Sequence, residues 1–147
     1  MNLRQTISIC ALCAASFGAF AQAAPIGYVK TLSGDAVIVG SSGEQAADVG
    51  SAVFAGDRIR TRANGSLGLT LKDNTMMAIG PDTEISVDEF AYAPASEQLR
   101  LGARIMRGTL QFVSGIIAKL RPEAVTISTP TATIGVRGTR FLVKVAE

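Results

Sequence analysis

Apolar and polar residues alternate along most of the chain beyond residue 24. Leu67, Leu69 and Leu71 show this most clearly, because glycine and threonine separate them. A period of two is typical of a strand with one buried face. Turn-forming residues recur about every ten positions, as in domains built from short strands. The pattern therefore predicts an all-β domain of about ten or eleven short strands.

Two architectures suit such strands, a sandwich or roll and, as the alternative, a short β-solenoid. Residues 29–32 and 36–39 flank a turn at 33–35, which predicts a hairpin. Residues 44–55, with a short strand near 52–54, and residues 91–98 are predicted loops, expected to be mobile or to face a partner. The one helix expected, at residues 114–120, is too short to be stable without tertiary contacts.

Residues 1–23 have the composition of a secretory signal peptide. Arg4 precedes an apolar stretch at residues 7–20, and Ala21-Gln22-Ala23 provides small residues for cleavage. This stretch is shorter than the roughly 20 residues that a membrane-spanning helix needs. Cys10 and Cys13 follow Ile9 and Leu12, whereas lipid attachment prefers a small preceding residue. We expect cleavage after Ala23, export to the periplasm, and secretion beyond it as the alternative.

Cleavage changes the composition of the protein that folds. Removing 23 of the 147 residues leaves one domain, residues 24–147, without cysteine and without a membrane span. Loss of Arg4 leaves 13 basic and 12 acidic side chains, a net charge of +1. A nearly neutral chain with few aromatic residues is a poor nucleic-acid partner. Because disulfides are impossible, the core and the strand pairing must hold the fold.

The side chains that most enzymes need are missing. The chain has no histidine, and both cysteines lie in the predicted signal peptide. This excludes Ser-His-Asp triads, Cys-His pairs and ordinary zinc sites, and we predict no metal and no cofactor. Asp88 and Glu89 are neighbours on a predicted strand, so we expect them to face opposite sides. A carboxylate-dependent enzyme acting on polysaccharide remains as a minor alternative.

Arg58, Arg60 and Arg62 form the main basic cluster. On a strand the three side chains share one face, which gives a stripe of positive charge. One interpretation is a site for a small anion, a glycan or a partner protein. The other, which we favour, is a solvated outer face that pairs with acids on a neighbouring strand.

Six further motifs occur in a fixed order: residues 56–61 (GDRIRT), 65–69 (GSLGL), 73–75 (DNT), 80–83 (GPDT), 107–110 (RGTL) and 129–141 (TPTATIGVRGTRF). Together they resemble the FecR domain over residues 26–145. The resemblance implies a periplasmic, all-β, non-catalytic domain. In signalling members this domain follows a membrane span, responds to an outer-membrane transporter and passes the signal to a sigma factor.

This chain is expected to differ from the signalling layout, since we see no anti-sigma segment before the domain and no transmembrane helix. A free-standing exported copy is expected to bind another protein of the cell envelope, in sensing or in scaffolding. The alternative is an envelope domain that binds a glycan or a small anion. The positions we assign to turns and clamps within the motifs are Gly56, Asp57, Asp73, Asn74, Thr129, Pro130, Gly135, Gly138 and Thr139.

The last motif has two physical interpretations. In the first, Arg137 folds back at Gly138 as a structural clamp that hydrogen-bonds backbone carbonyls or a carboxylate, for which Asp57 is the candidate. In the second, Arg137 and Arg140 form a rim that binds a partner. We favour the clamp and retain the rim.

Overall fold

The computed structural model describes residues 23–146, so the predicted signal peptide lies outside the described residues except for Ala23. Twelve strands and one short α-helix form within them. In chain order they are β1 (Gly27–Ser33), β2 (Ala36–Gly40), β3 (Gly43–Ala46), β4 (Ala52–Val53), β5 (Arg58–Thr61), β6 (Ser66–Leu71), β7 (Met76–Ile79), β8 (Glu84–Ala93), β9 (Gln98–Val113), α1 (Ile116–Leu120), β10 (Val125–Ser128), β11 (Thr133–Gly135) and β12 (Arg140–Val145). Single 3₁₀ turns occupy Pro94–Ser96 and Pro122–Ala124.

All twelve strands belong to one curled sheet, which has two halves. Half I has the order β4-β1-β6-β7-β9-β12, and half II has the order β3-β2-β5-β8-β9-β10-β11. Every pairing is antiparallel except that of β9 with β10. The predicted all-β class with one short helix is confirmed, and the antiparallel order excludes a solenoid.

Strand β9 joins the two halves. Its residues 98–107 pair with β8 in half II, and its residues 108–113 pair with β12 in half I. At the junction Gly108 has φ +94°, a conformation that residues with a Cβ rarely adopt. A Cβ at this position would overlap the Thr83 hydroxyl. Gly108 therefore lets one continuous strand turn from one half into the other.

A single hydrophobic core lies between the halves, because alternate positions of each strand face inward. Leu67, Leu69 and Leu71 are all buried, as their alternation predicts. Ile59, Ile85 and other apolar side chains of half II pack in the same cluster. No helix among residues 23–146 has the length and apolar character needed to cross a bilayer.

The hairpin predicted at residues 33–35 is wrong. Strand β1 pairs with β4 and β6, whereas β2 pairs with β3 and β5. The turn is instead a corner at which the chain passes from half I to half II. Its residues suit a tight turn in either case, and only the distant strands decide which edge each strand pairs with.

Two predicted loops are also wrong in part. Residues 44–46 of the first belong to β3, an exposed edge strand paired with β2. In the second, residues 91–93 continue β8 and residue 98 begins β9, so this segment is the tip of a long hairpin. Strong long-range pairing extends these strands into segments whose local sequence favours turns.

The orientation predicted for Asp88 and Glu89 is wrong as well. The register between β8 and β9 shifts between Val87 and Glu89, which is a β-bulge. Both carboxylates lie exposed and face arginines of β9, at 3.4 Å from Arg104 to Asp88 and 3.7 Å from Arg100 to Glu89. The extra residue of the bulge therefore places two adjacent acids on the same face.

Candidate partner-binding site

Two of the three arginines at residues 58–62 are paired with acids. Glu84 of β8 lies 3.2 Å from Arg58 and 3.7 Å from Arg60, and Glu44 of β3 lies 4.0 Å from Arg60. Arg62 is exposed beyond the end of β5 and makes no ion pair within residues 23–146. This arrangement agrees with the solvated, acid-paired face and leaves no continuous stripe of free charge.

The outer face of half I has a different electrostatic character. Its strands, with β9 counted over residues 108–113 only, contain Lys30, Arg140 and Lys144 but no aspartate or glutamate. Among the described residues none of these three cations has an ion-pair partner. The six ion pairs found there all lie in half II or beside α1. Half I thus presents positive charge that the fold leaves unused.

Arg137 lines an open groove of about 610 Å³ between α1 and the β10–β11 pair. Val125 and Val136 supply buried apolar surface, and the exposed Glu123 stands at the rim with Arg137. Gly135 and Gly138 also line the groove. The groove therefore combines an apolar floor with one charge of each sign, which suits a peptide or another protein surface.

Hydrogen bonds connect this groove to the start of β12. The Ser114 hydroxyl donates to the Gly138 carbonyl at 2.8 Å, and the Ser114 backbone N–H donates to the Thr139 carbonyl at 2.8 Å. Arg140 follows immediately as the first residue of β12. Arg137 and Arg140 are thus held on one anchored segment.

Arg137 and Asp57 do not pair. The Asp57 carboxylate accepts a hydrogen bond from the Phe54 backbone N–H at 2.9 Å. With Gly56 it lines a second groove, of about 700 Å³, beside β2 and β3. Those strands lie at the opposite edge of half II from β11. Within residues 23–146 Arg137 has neither an ion pair nor a side-chain hydrogen bond, so its predicted clamp contact with Asp57 is absent.

Asp73 is the most deeply buried acid, with 0% of its surface exposed. Its carboxylate accepts hydrogen bonds from the Thr75 N–H at 3.1 Å, the Thr75 hydroxyl at 2.8 Å and the Ile117 N–H at 3.2 Å. Its carbonyl accepts another from the Ile116 N–H at 2.8 Å. Asn74 forms the turn beside it with φ +67°. This aspartate joins the β6–β7 turn to the first turn of α1.

The remaining motif residues form a local turn before β11. The Thr129 N–H donates to the Ala132 carbonyl at 2.7 Å, and its hydroxyl accepts from the Ala132 N–H at 3.0 Å. Pro130 lies exposed inside this turn. The turn reverses the chain so that β11 pairs with β10.

Sequence reasoning missed Lys30, Leu142 and Lys144 as surface candidates. Leu142 is 67% exposed, the highest value among the large apolar side chains described. The only available signal was the absence of acids from several strands, and the sequence does not show that these strands share one face. Residues 23–146 contain no cluster of three or more His, Cys, Asp or Glu side chains placed to hold a metal ion.

Comparison with known proteins gives one result. Residues 57–147, more than half of the chain, match the family described as FecR protein. Neither the curated proteins nor the solved structures give a significant match. The matched family consists of periplasmic-type signalling and sensing domains that are generally non-enzymatic. On this match, and on the all-β fold that carries the motifs, the chain belongs to the FecR family.

Proposed function

We propose that this chain is a non-catalytic FecR module of the cell envelope that binds another protein through Arg137, Arg140 and the adjoining strand β12. The observation that carries the proposal is the contrast between arginines. Arg58 and Arg60 are paired with acids, whereas Arg137 and Arg140 are exposed without a partner among the described residues. An exposed arginine without an ion-pair partner in the fold is free to pair with an acidic side chain of another protein.

The neighbouring groove supports a protein rather than a small anion as the partner. Its floor is apolar, and Glu123, which lies 3.9 Å from Arg121, lines it together with Arg137, so the groove does not present positive charge alone. Two of the three arginines in the basic cluster, Arg58 and Arg60, are already paired with Glu84 and Glu44. Binding of a glycan or a small anion was proposed to use a continuous stripe of free positive charge at Arg58, Arg60 and Arg62, and these ion pairs argue against such a stripe.

The test uses the mature chain, residues 24–147, as bait in a periplasmic extract of its source organism. We expect a single protein to be captured in a stoichiometric amount. The double variant Arg137→Ala/Arg140→Ala is expected to lose this capture. The matched control Arg58→Ala/Arg62→Ala removes the same charge from half II and is expected to retain it.

Thermal melting separates binding from folding. Because Arg137 has no partner within the described residues, Arg137→Ala should melt within about 2 °C of the unchanged protein. A loss of several degrees would support the clamp interpretation instead. Equal capture by both double variants, or binding to a glycan array without any protein partner, would overturn the proposal.

A further inference from the structure

Strand β12 has an open edge. Within the described chain it pairs with β9 alone, over all six of its residues. The hydrogen bond from Ser114 N–H to the Thr139 carbonyl identifies Ser114–Thr139 as a hydrogen-bonded pair. Since such pairs alternate along an antiparallel ladder, Phe141, Val143 and Val145 direct their backbone groups to β9. Arg140, Leu142 and Lys144 direct theirs away from it.

The inward-facing side chains of β12 are incompletely buried at this edge. Val143 is buried in the core, but Phe141 and Val145 on the same inward face are only half-buried. Phe141 stacks on Phe112 with ring centroids 5.0 Å apart, so one side of its ring is covered by β9. The core therefore ends at β12 with apolar surface that a further strand would cover.

The outward side chains specify the chemistry of that strand. Arg140 and Lys144 flank the exposed Leu142, and no acid occurs in any strand of half I. A directly opposed acid stabilises a cross-strand pair, whereas a directly opposed cation destabilises it. A second copy of β12 paired about Leu142 would place Arg140 opposite Lys144, which disfavours self-association.

We infer that the open edge of β12 binds an extended acidic segment of the partner protein as a thirteenth strand. Acidic residues of the segment alternate with apolar ones, the acids lying opposite Arg140 and Lys144 and the apolar side chains covering Phe141 and Val145. Main-chain hydrogen bonds to Arg140, Leu142 and Lys144 supply affinity, and the side-chain pattern supplies specificity. This inference deepens the proposed function and rests on it.

The test uses three synthetic peptides and the mature chain. In the first peptide glutamate alternates with valine, in the second lysine replaces each glutamate, and in the third the glutamates and valines form separate blocks. Fluorescence anisotropy is expected to show the first peptide binding at least about tenfold more tightly than the other two. Amide hydrogen exchange at Leu142 and Lys144 is expected to slow on binding of the first peptide only.

Two variants locate the site. Arg140→Gln/Lys144→Gln is expected to weaken binding of the first peptide at least about tenfold. The matched control Arg62→Gln/Lys72→Gln removes one arginine and one lysine that are exposed, without an ion pair among the described residues, and outside β12, and it is expected to leave the affinity unchanged. Leu142→Pro removes the central free donor without removing a bond to β9, so it is expected to abolish binding in a protein that still folds. If Leu142→Pro fails to fold, the affinity of Arg140→Gln/Lys144→Gln for the first peptide decides whether the inference stands.

Equal affinity for all three peptides, or binding without slower exchange in β12, would overturn the inference. Failure of the first peptide to bind, while Arg137→Ala/Arg140→Ala still abolishes protein capture, refutes the added strand and leaves the proposed function standing. Binding of the first peptide together with absence of any captured protein supports the edge and refutes the protein-binding function in the cell envelope.

Discussion

Replacing Asp73 by alanine tests whether its buried carboxylate holds the β6–β7 turn and α1 together. The substitution removes the acceptor of three hydrogen bonds, donated by the Thr75 N–H, the Thr75 hydroxyl and the Ile117 N–H. The hydroxyl can rotate toward another acceptor, but the two backbone N–H groups remain buried without a partner. Helix α1 then keeps the backbone hydrogen bond from the Ile116 N–H to the carbonyl of residue 73 but loses the one that the Asp73 carboxylate accepts from the Ile117 N–H.

The magnitude follows from those two groups. A buried donor left unsatisfied costs about 1–3 kcal/mol, so with two such donors the variant should lose about 2–6 kcal/mol of unfolding free energy. In a domain of this size each kcal/mol lowers the melting temperature by about 3–5 °C, so the melting temperature should fall by about 6–30 °C. Asp73→Asn keeps one acceptor oxygen and should lose about half as much.

The assay is urea denaturation followed by circular dichroism, with Asp88→Ala as the matched control. Asp88 is exposed and contacts Arg104 at 3.4 Å and the Ser86 hydroxyl at 2.8 Å. Its loss should cost at most about 1 kcal/mol. If Asp73→Ala and Asp88→Ala lower stability equally, the reasoning from buried hydrogen bonds is refuted.

Three further predictions concern the junction, the charged face and export. Gly108→Ala should lose more than about 3 kcal/mol of unfolding free energy, because its methyl would lie 2.6 Å from Thr83 Cα at a φ of +94°. The control Gly43→Ala, at φ +111° in open space, should lose only about 1–2 kcal/mol in the same urea titration. Glu84→Gln removes a carboxylate shared by two arginines of β5 and should lower the unfolding free energy by about 1 kcal/mol. This loss should shrink at about 1 M salt, and a larger loss at high salt would contradict the role of the ion pairs. Mass spectrometry of the native protein should find Ala24 as its N-terminus, and an intact Met1 would refute the predicted cleavage.

The strands were predictable because burial on one face imposes alternation on each strand separately. Leu67, Leu69 and Leu71 indicate a half-buried strand whatever its partner is. Pairing is a different matter, since residues 33–35 favour a turn whether β1 and β2 form a hairpin or separate into two halves. The register shift beside Asp88 likewise depends on β9 and has no marker in β8 itself.

The candidate site was predictable only in part. Arg137 and Arg140 were identified from the last motif, together with Arg58 and Arg60 from the basic cluster. Only the structure separates them, because Glu84 and Glu44 reach the arginines of β5 through the strand order. The outer face of half I was missed since its strands come from five separate parts of the sequence.

The position of β9 in both halves has a consequence for cooperativity. Removing this strand would separate β8 and β10 in one half and β7 and β12 in the other. We therefore expect the two halves to unfold together, as one cooperative unit with a single free energy of unfolding. A partner strand that binds β12 only in the folded protein would then stabilise the whole domain by mass action. The stabilisation would extend to the ion-paired face of half II, which the partner strand does not contact.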